Sequence, residues 1–161
     1  LAPSPSWHLT GWGTSNDANH LTGPSRDGSG LALALERALD RAGRSPAAVQ
    51  YLNAHGTGTP YNDSMESLAF RTVFGDRTPP FSSSKGVFGH TLGAAGILET
   101  ILCLVAADLQ LLPGTPRLVE PDPLAPTSIL RTPQPAPDLR CVVKVNCGFG
   151  GTNAAIVLER S

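Results

Sequence analysis

The chain is punctuated by apolar runs that each stop at a glycine-crowded turn, and the stretches between them repeat their apolar residues at helical spacing. Residues 49–54 run into His55-Gly-Thr-Gly-Thr-Pro60, residues 81–84 into Lys85-Gly-Val-Phe-Gly-His90, and residues 140–146 into Cys147-Gly-Phe-Gly-Gly-Thr152. Short apolar runs bounded by turn signals read as strands. Residues 7–14 alternate apolar with polar or small residues and predict a first strand; residues 153–158 predict a last one. Between them, residues 30–42 carry Leu31, Leu35 and Leu39 on one helical face, residues 64–74 carry Met65, Leu68, Ala69 and Val73, and residues 92–111 are apolar almost all round. Gly43 suits a C-cap, Asp63 with Glu66 has capping-box spacing, and Pro113-Gly114 stops the third helix. Such alternation predicts a parallel sheet covered by helices with right-handed crossovers. The closing hairpin adds one antiparallel edge strand, and the third helix is expected in the middle of the structure.

Composition narrows the class. A chain of 161 residues that is 40% hydrophobic and 16% charged can bury a real core, and a single domain over residues 1–161 is expected. A net charge of -1 advertises no surface for nucleic acid or anionic lipid. Cys103, Cys141 and Cys147 form no CxxC pair, which fits a reducing cytosol and predicts a cytoplasmic protein. The first residues carry no signal-peptide pattern and no initiator methionine, so a fragment, a processed product or a domain of something longer is expected. Residues 92–112 are long enough for a membrane span, but Glu99 and Asp108 lie inside and would be costly in lipid. Prolines punctuate residues 113–138, which predicts an irregular segment crossing a surface or a partner.

Loops that follow strands in such sheets gather at one end, where ligands bind. That places His55, Lys85, His90 and Phe149 together. Two histidines can donate N–H bonds to one oxyanion or enolate, or serve as acid and base. Glu99 lies two turns into a helix, and as a buried carboxylate it needs a cation, for which Lys85 is the candidate. The backbone N–H groups of residues 148–151 can form half of an oxyanion hole. No serine or cysteine sits in a nucleophile elbow. A metal site from His55, His90 and Asp63 lacks short ligand spacing, and the His55 turn lacks the Gly-Lys-Ser/Thr of a phosphate loop. On residues 85–96 alone, a glycine-rich loop before a core helix explains the pattern without chemistry.

Three motifs taken together go further. His55-Gly-Thr-Gly-Thr-Pro60 with Asp63, Ser84-Lys85 with Gly89-His90 and Gly93-Ala-Ala-Gly96, and Gly148-Phe-Gly-Gly-Thr-Asn153 occur in one order. In that order the chain resembles the C-terminal half of the β-ketoacyl-acyl-carrier-protein synthases, the condensing enzymes of fatty acid and polyketide synthesis, and most closely those with a Cys-His-His site. The resemblance implies an α/β, thiolase-like half: a five-stranded mixed sheet, mostly parallel with one antiparallel strand, and helices on both faces. It implies that His55 and His90 stabilise the enolate formed when malonyl-carrier protein loses carbon dioxide, with Lys85 and Glu99 supporting them and Asp63 nearby. It implies that Thr57 and Thr59 bond the phosphopantetheine arm, and that Phe149, with Gly148 and Gly150 beside it on the mobile glycine loop, gates the site and gives its backbone N–H to the oxyanion hole. Asp17, His20, Thr22 and Pro24 match a second gating loop.

The same resemblance implies no cofactor beyond the phosphopantetheine of the acyl carrier protein, and no metal. The implied partners are that carrier protein and a cysteine-bearing N-terminal half, in a dimer of the complete synthase. The family carries Asn-Ser-Phe where Val145-Asn146-Cys147 stand, which implies a pocket of different shape. The family's nucleophilic cysteine motif is absent, and none of the three cysteines stands in such a motif. A non-catalytic, chain-length-factor-like or carrier-protein-binding subunit is therefore the alternative to the histidine-bearing half of an active synthase.

Overall fold

A computed structural model describes residues 6–161; residues 1–5, where the N-terminal reading begins, lie outside the described part. The expected element order is present. Strand β1 spans Trp7–Asn16, helix α1 Ser29–Ala42, β2 Tyr51–Asn53, α2 Pro60–Phe74 and β3 Phe81–Ser82. A short α3 (Lys85–Phe88) precedes α4 (Ala95–Asp108), and a small ribbon of β4 (Leu111–Leu112) and β5 (Gln134–Pro135) precedes β6 (Cys141–Gly148) and β7 (Thr152–Arg160).

The main sheet has five strands in the order β1-β7-β6-β2-β3. Strands β6, β2 and β3 are parallel, and β7 runs antiparallel to both β6 and β1. One strand is thus antiparallel, as expected, but it is not an edge strand. β1 returns to pair with β7 along its whole length, from Trp7 with Arg160 to Asn16 with Thr152. A hairpin pattern in sequence specifies only the local partner of β7; its other edge would carry a row of unpaired N–H and C=O groups, which β1 covers. At the opposite edge, residues 128–130 of the proline-rich segment lie along β3: Phe81 N–H donates to Ser128 O (3.3 Å) and Leu130 N–H to Phe81 O (2.8 Å).

Helices cover both faces. Helix α1 buries Leu31, Leu35 and Leu39 with Ala34 and Ala38, and joins α2 in one core with Leu52, Val143, Val145 and Val157. Gly43 ends α1 in the left-handed conformation (φ 63°), its N–H bonded to Asp40 O and Leu39 O. Strand β1 meets α1 through Gly11 and Gly13: a Cβ on Gly13 would stand 2.0 Å from Ala34 O, and one on Gly11 2.2 Å from Ala38 O. Helix α4 covers the other face, where Cys103 and Ala107 pack with Tyr51, Val142 and Leu158.

Two helix expectations need correction. Helix α2 begins at Pro60 rather than at residue 64, with Thr59 as N-cap, because proline's fixed φ suits the first turn. Asp63 and Glu66 are then inside the helix and form no capping box. The third helix is shorter than expected and is not central. It runs Ala95–Asp108 after a 3-10 turn at Leu92–Ala94, and it buries only the stripe Ala95, Glu99, Cys103 and Ala107. Ile97, Leu98, Ile101 and Val105 are exposed, at 43–61%. A sequence apolar on all sides does not say which side meets the sheet, and the side with small residues allows the closer approach. Among the described residues no helix is long and apolar enough to cross a membrane.

Since Gly13 lies against the backbone of α1, Gly13→Ala is expected to destabilise the protein by about 3 kcal/mol, the upper end of overpacking costs. Urea unfolding followed by circular dichroism measures this. An unchanged midpoint would contradict the contact between β1 and α1.

Candidate active site

Period-2 alternation decides what faces α4. On β2 it presents Tyr51 and Asn53, with His55 next in phase, and on β6 it presents Lys144 and Asn146, while Leu52, Val143 and Val145 face α1 and α2. His55 is therefore delivered at the end of a parallel strand, beside polar residues from the next strand.

A buried carboxylate fixes the turn that follows. Glu66 of α2 accepts from His55 N–H (2.7 Å) on one oxygen, and from Gly56 N–H (2.7 Å) and the Asn62 amide (2.7 Å) on the other. Gly56 has φ 50°, and a Cβ there would stand 2.4 Å from the Ser83 side chain, so glycine is required for the turn to lie this close. Ser83 Oγ donates to Gly56 O (3.0 Å) and ties the turn to the end of β3.

A second carboxylate, Glu99, organises the charges. Lys85 Nζ lies 2.6 Å from Glu99 Oε1, and Lys144 Nζ lies 2.9 Å from Oε2. Both lysines are buried. Lys85 also donates to His55 O (2.5 Å), and Lys144 donates to Ala54 O (3.4 Å) and to Val145 O. The Asn146 amide donates to Glu99 Oε2 (3.3 Å) and lies 3.3 Å from His55 Nδ1.

These contacts set the histidine tautomers. The neighbours of His55 Nδ1 are Lys85 Nζ (3.4 Å) and the Asn146 amide nitrogen (3.3 Å), which only donate. Nδ1 must accept, so the ring proton sits on Nε2. His90 Nδ1 accepts from Leu92 N–H (3.1 Å), which likewise puts its proton on Nε2. The two rings lie edge to face with centroids 5.2 Å apart. Burial first, then the charges of Lys85, Lys144 and His90, push the His55 pKa down to about 3. Burial opposes ionisation of Glu99, but the charges of Lys144 and Lys85 outweigh it and hold the carboxyl below its ordinary value.

The other residues singled out in the sequence fall around this pair. Thr57 and Thr59 hydroxyls meet at 3.0 Å, and Asp63 accepts from Gly58 N–H (3.3 Å). Thr57, Asp63, Ser83, Lys85 and His90 line one cleft of about 430 Å³. Two loops are stitched together beside it. Asp17 accepts from Ser25 N–H and the Asn153 amide, and Asp17 N–H donates to Gly151 O (2.8 Å). His20 only closes its own turn, by accepting from the N–H groups of Thr22 and Gly23, and both His20 and Thr22 are exposed. Phe149 is 78% exposed at the tip of the glycine loop, and Gly148 continues β6 in extended backbone. Gly150 (φ 79°) gives its N–H to Leu21 O (2.7 Å), so that N–H is committed to the loop and is not a free oxyanion donor.

Sequence reasoning missed Glu66, Asn146 and Lys144. A lysine inside the run Val142-Val-Lys-Val145 was the available signal, since a buried lysine needs a partner.

A family model described as the beta-ketoacyl synthase C-terminal domain matches residues 8–118. The chain belongs to that family. It is 40% identical over 154 residues to the mitochondrial 3-oxoacyl-[acyl-carrier-protein] synthase of Arabidopsis thaliana, covering 92% of the chain and 33% of the relative. Among solved structures it is similar to a ketosynthase in complex with its chain length factor from Xenorhabdus doucetiae (38% identity, 96% of this chain and 39% of that one, TM-score 0.88). It is also similar to a type II polyketide acyl-carrier protein complex with its ketosynthase (31% identity, 94% and 38%, TM-score 0.88). The chain thus spans about a third of the length of the curated relative. The five-stranded mixed sheet with helices on both faces matches a part, 39%, of the Xenorhabdus doucetiae structure's chain.

In this β-ketoacyl synthase domain His55 is expected to remain neutral and Nε2-protonated over about pH 5–8, given its depressed pKa. Ring-¹⁵N-histidine spectra, assigned with a His55→Asn variant, check this; a His55 ring that titrates near 6.5 would contradict it. Between pH 6.5 and about 3 the unfolded chain holds the proton that folded His55 refuses, so this group's contribution lowers stability as pH falls through that window.

Proposed function

We propose that the site serves decarboxylative condensation on acyl-carrier-protein thioesters. In this reading a malonyl thioester loses carbon dioxide as its carbon–carboxylate bond breaks, and the electron pair passes into the thioester enolate. The enolate oxygen sits between the Nε2–H groups of His55 and His90. The enolate carbon then attacks an acyl thioester on a cysteine, forming the new carbon–carbon bond and expelling the thiolate. The observation that carries the reading is the pair of tautomers: each ring has its Nδ1 committed as an acceptor, so each presents an N–H at neutral pH. Two fixed donors aimed at developing charge are what stabilise an oxyanion without reorganisation.

The remaining roles follow from position. Thr57 lines the cleft and its hydroxyl meets that of Thr59 at 3.0 Å; both are assigned to the phosphopantetheine arm. Phe149 on its glycine loop and the Asp17 loop bonded to it are assigned to gating. The nucleophilic cysteine is assigned to an N-terminal half. The exposed stripe of Ile97, Leu98, Ile101 and Val105 supports that partner, because a monomer seldom leaves so contiguous an apolar face in water.

His90→Ala in the complete synthase is expected to slow release of ¹⁴C carbon dioxide from malonyl-carrier protein by about 10²–10³-fold, the usual loss for one oxyanion donor. Retained decarboxylation would sink the assignment. A wild-type assembly that binds carrier protein and shapes product length but releases no carbon dioxide would favour the chain-length-factor-like alternative.

A further inference from the structure

Glu99 has a cation it can pair with in Lys85, yet a second lysine reaches it from the opposite side. Lys144 comes from the interior strand β6 and is 2% exposed. Its ammonium has three N–H groups and meets three acceptors: Glu99 Oε2 at 2.9 Å, Ala54 O at 3.4 Å and Val145 O. Ala54 is the residue before His55, and Lys85 holds the next carbonyl, that of His55 itself, at 2.5 Å. The two lysines thus grip consecutive carbonyls at the end of β2 and both oxygens of one carboxylate. Lys144 does not line the cleft that Lys85 and His90 line. With every N–H donated inward it has no proton to offer a substrate.

We propose that Lys144 is a positioning residue for the condensation site: it keeps Glu99 ionised and the strand end beneath His55 fixed, so that Lys85 and Asn146 stay aimed at His55 Nδ1. The inference rests on the functional reading above for its consequence in catalysis. A carboxylate buried among apolar neighbours tends to protonate. Protonated, Glu99 would lose the charge that holds Lys85 and part of its capacity to accept from Asn146, and the two donors that fix the His55 tautomer would be held more loosely. The groups that face Glu99 are Lys144 from β6, Lys85 from α3, His55 and Tyr51 from the β2 side, and Cys103 one turn along α4. Glu66 of α2 feels the Lys144 charge as well. Lys144 and Lys85 are the ammonium groups in that set; burial pushes the Lys144 pKa down and the charge of Glu99 works against that, while His55 resists protonation.

The test uses the complete synthase carrying Lys144→Met, which keeps the apolar stem and removes the ammonium. Losing an ion-pair partner this close should raise the Glu99 carboxyl pKa by about 1–3 units, and the acid limb of malonyl decarboxylation should move up by a similar amount. Carboxyl-¹³C-glutamate spectra, assigned with Glu99→Gln, read the first; the pH profile reads the second. A uniformly lower rate with an unmoved acid limb and an unmoved Glu99 titration would overturn the proposal and leave Lys144 a packing residue. If Lys144→Met does not fold, Lys85→Met gives the complementary measurement: Lys144 alone should still pair with Glu99, so the Glu99 pKa should rise by no more than about 1–3 units, and a Glu99 that titrates as a buried carboxyl facing no cation would overturn the proposal. A Glu99 shift in a synthase whose wild type decarboxylates nothing would uphold the role of Lys144 and discard the functional reading instead.

Discussion

Glu99 is one carboxylate held on both oxygens by ammonium groups that come from different elements, and most of the site's geometry depends on it. The carboxylate belongs to α4, Lys85 to α3 and Lys144 to β6, and both lysines also bond carbonyls at the end of β2. Burying such charges is costly, and removing one partner of a buried pair typically costs about 3–5 kcal/mol because the other is stranded. Burial pushes the Glu66 carboxyl pKa up and the Lys144 pKa down, and the cluster offsets part of that cost by setting Lys85 and Lys144 against Glu99 and by giving Glu66 two backbone N–H groups and an amide. Both carboxylates converge on the same short segment. Glu66 holds its N–H groups and the lysines on Glu99 hold its carbonyls, so the residues around His55 are fixed from both sides of the backbone.

The element order, the Gly43 cap, the two-faced layering and the Lys85–Glu99 pair could be read from the residues because each follows from local pattern or from a simple need. An acidic residue inside an apolar helix demands a cation, and the turn before that helix offered one. What could not be read depended on distant partners. Glu66 stands three residues after Asp63 and so looked like a cap, but tertiary structure turned it toward two strand-end N–H groups. The strand pattern of β6 puts Lys144 and Asn146 on one face without saying which face or what they meet. The apolar surplus of α4 hid the stripe of small residues that touches the sheet.

The placement of His90 illustrates the same division. Its neighbourhood to Lys85 was evident from spacing, and its approach to the His55 ring needed the parallel order β6-β2-β3 to bring two strand ends side by side. The tautomer of each ring could come only from atoms: a backbone N–H for one, an amide and an ammonium for the other.

The interior position of β7 has a consequence for how the sheet is assembled. The two strands latest in sequence, β6 and β7, lie between the two earliest, β1 and β2. During synthesis β1 waits for β7 across the separation from Trp7 to Arg160, and β2, paired early with β3 on one edge, waits with its other edge bare across the separation from Tyr51 to Val142. Contacts of such long sequence separation make folding slow and expose sticky intermediates. Such nascent chains are natural clients for chaperones, and truncation short of β7 would remove the middle of the sheet rather than trim its rim.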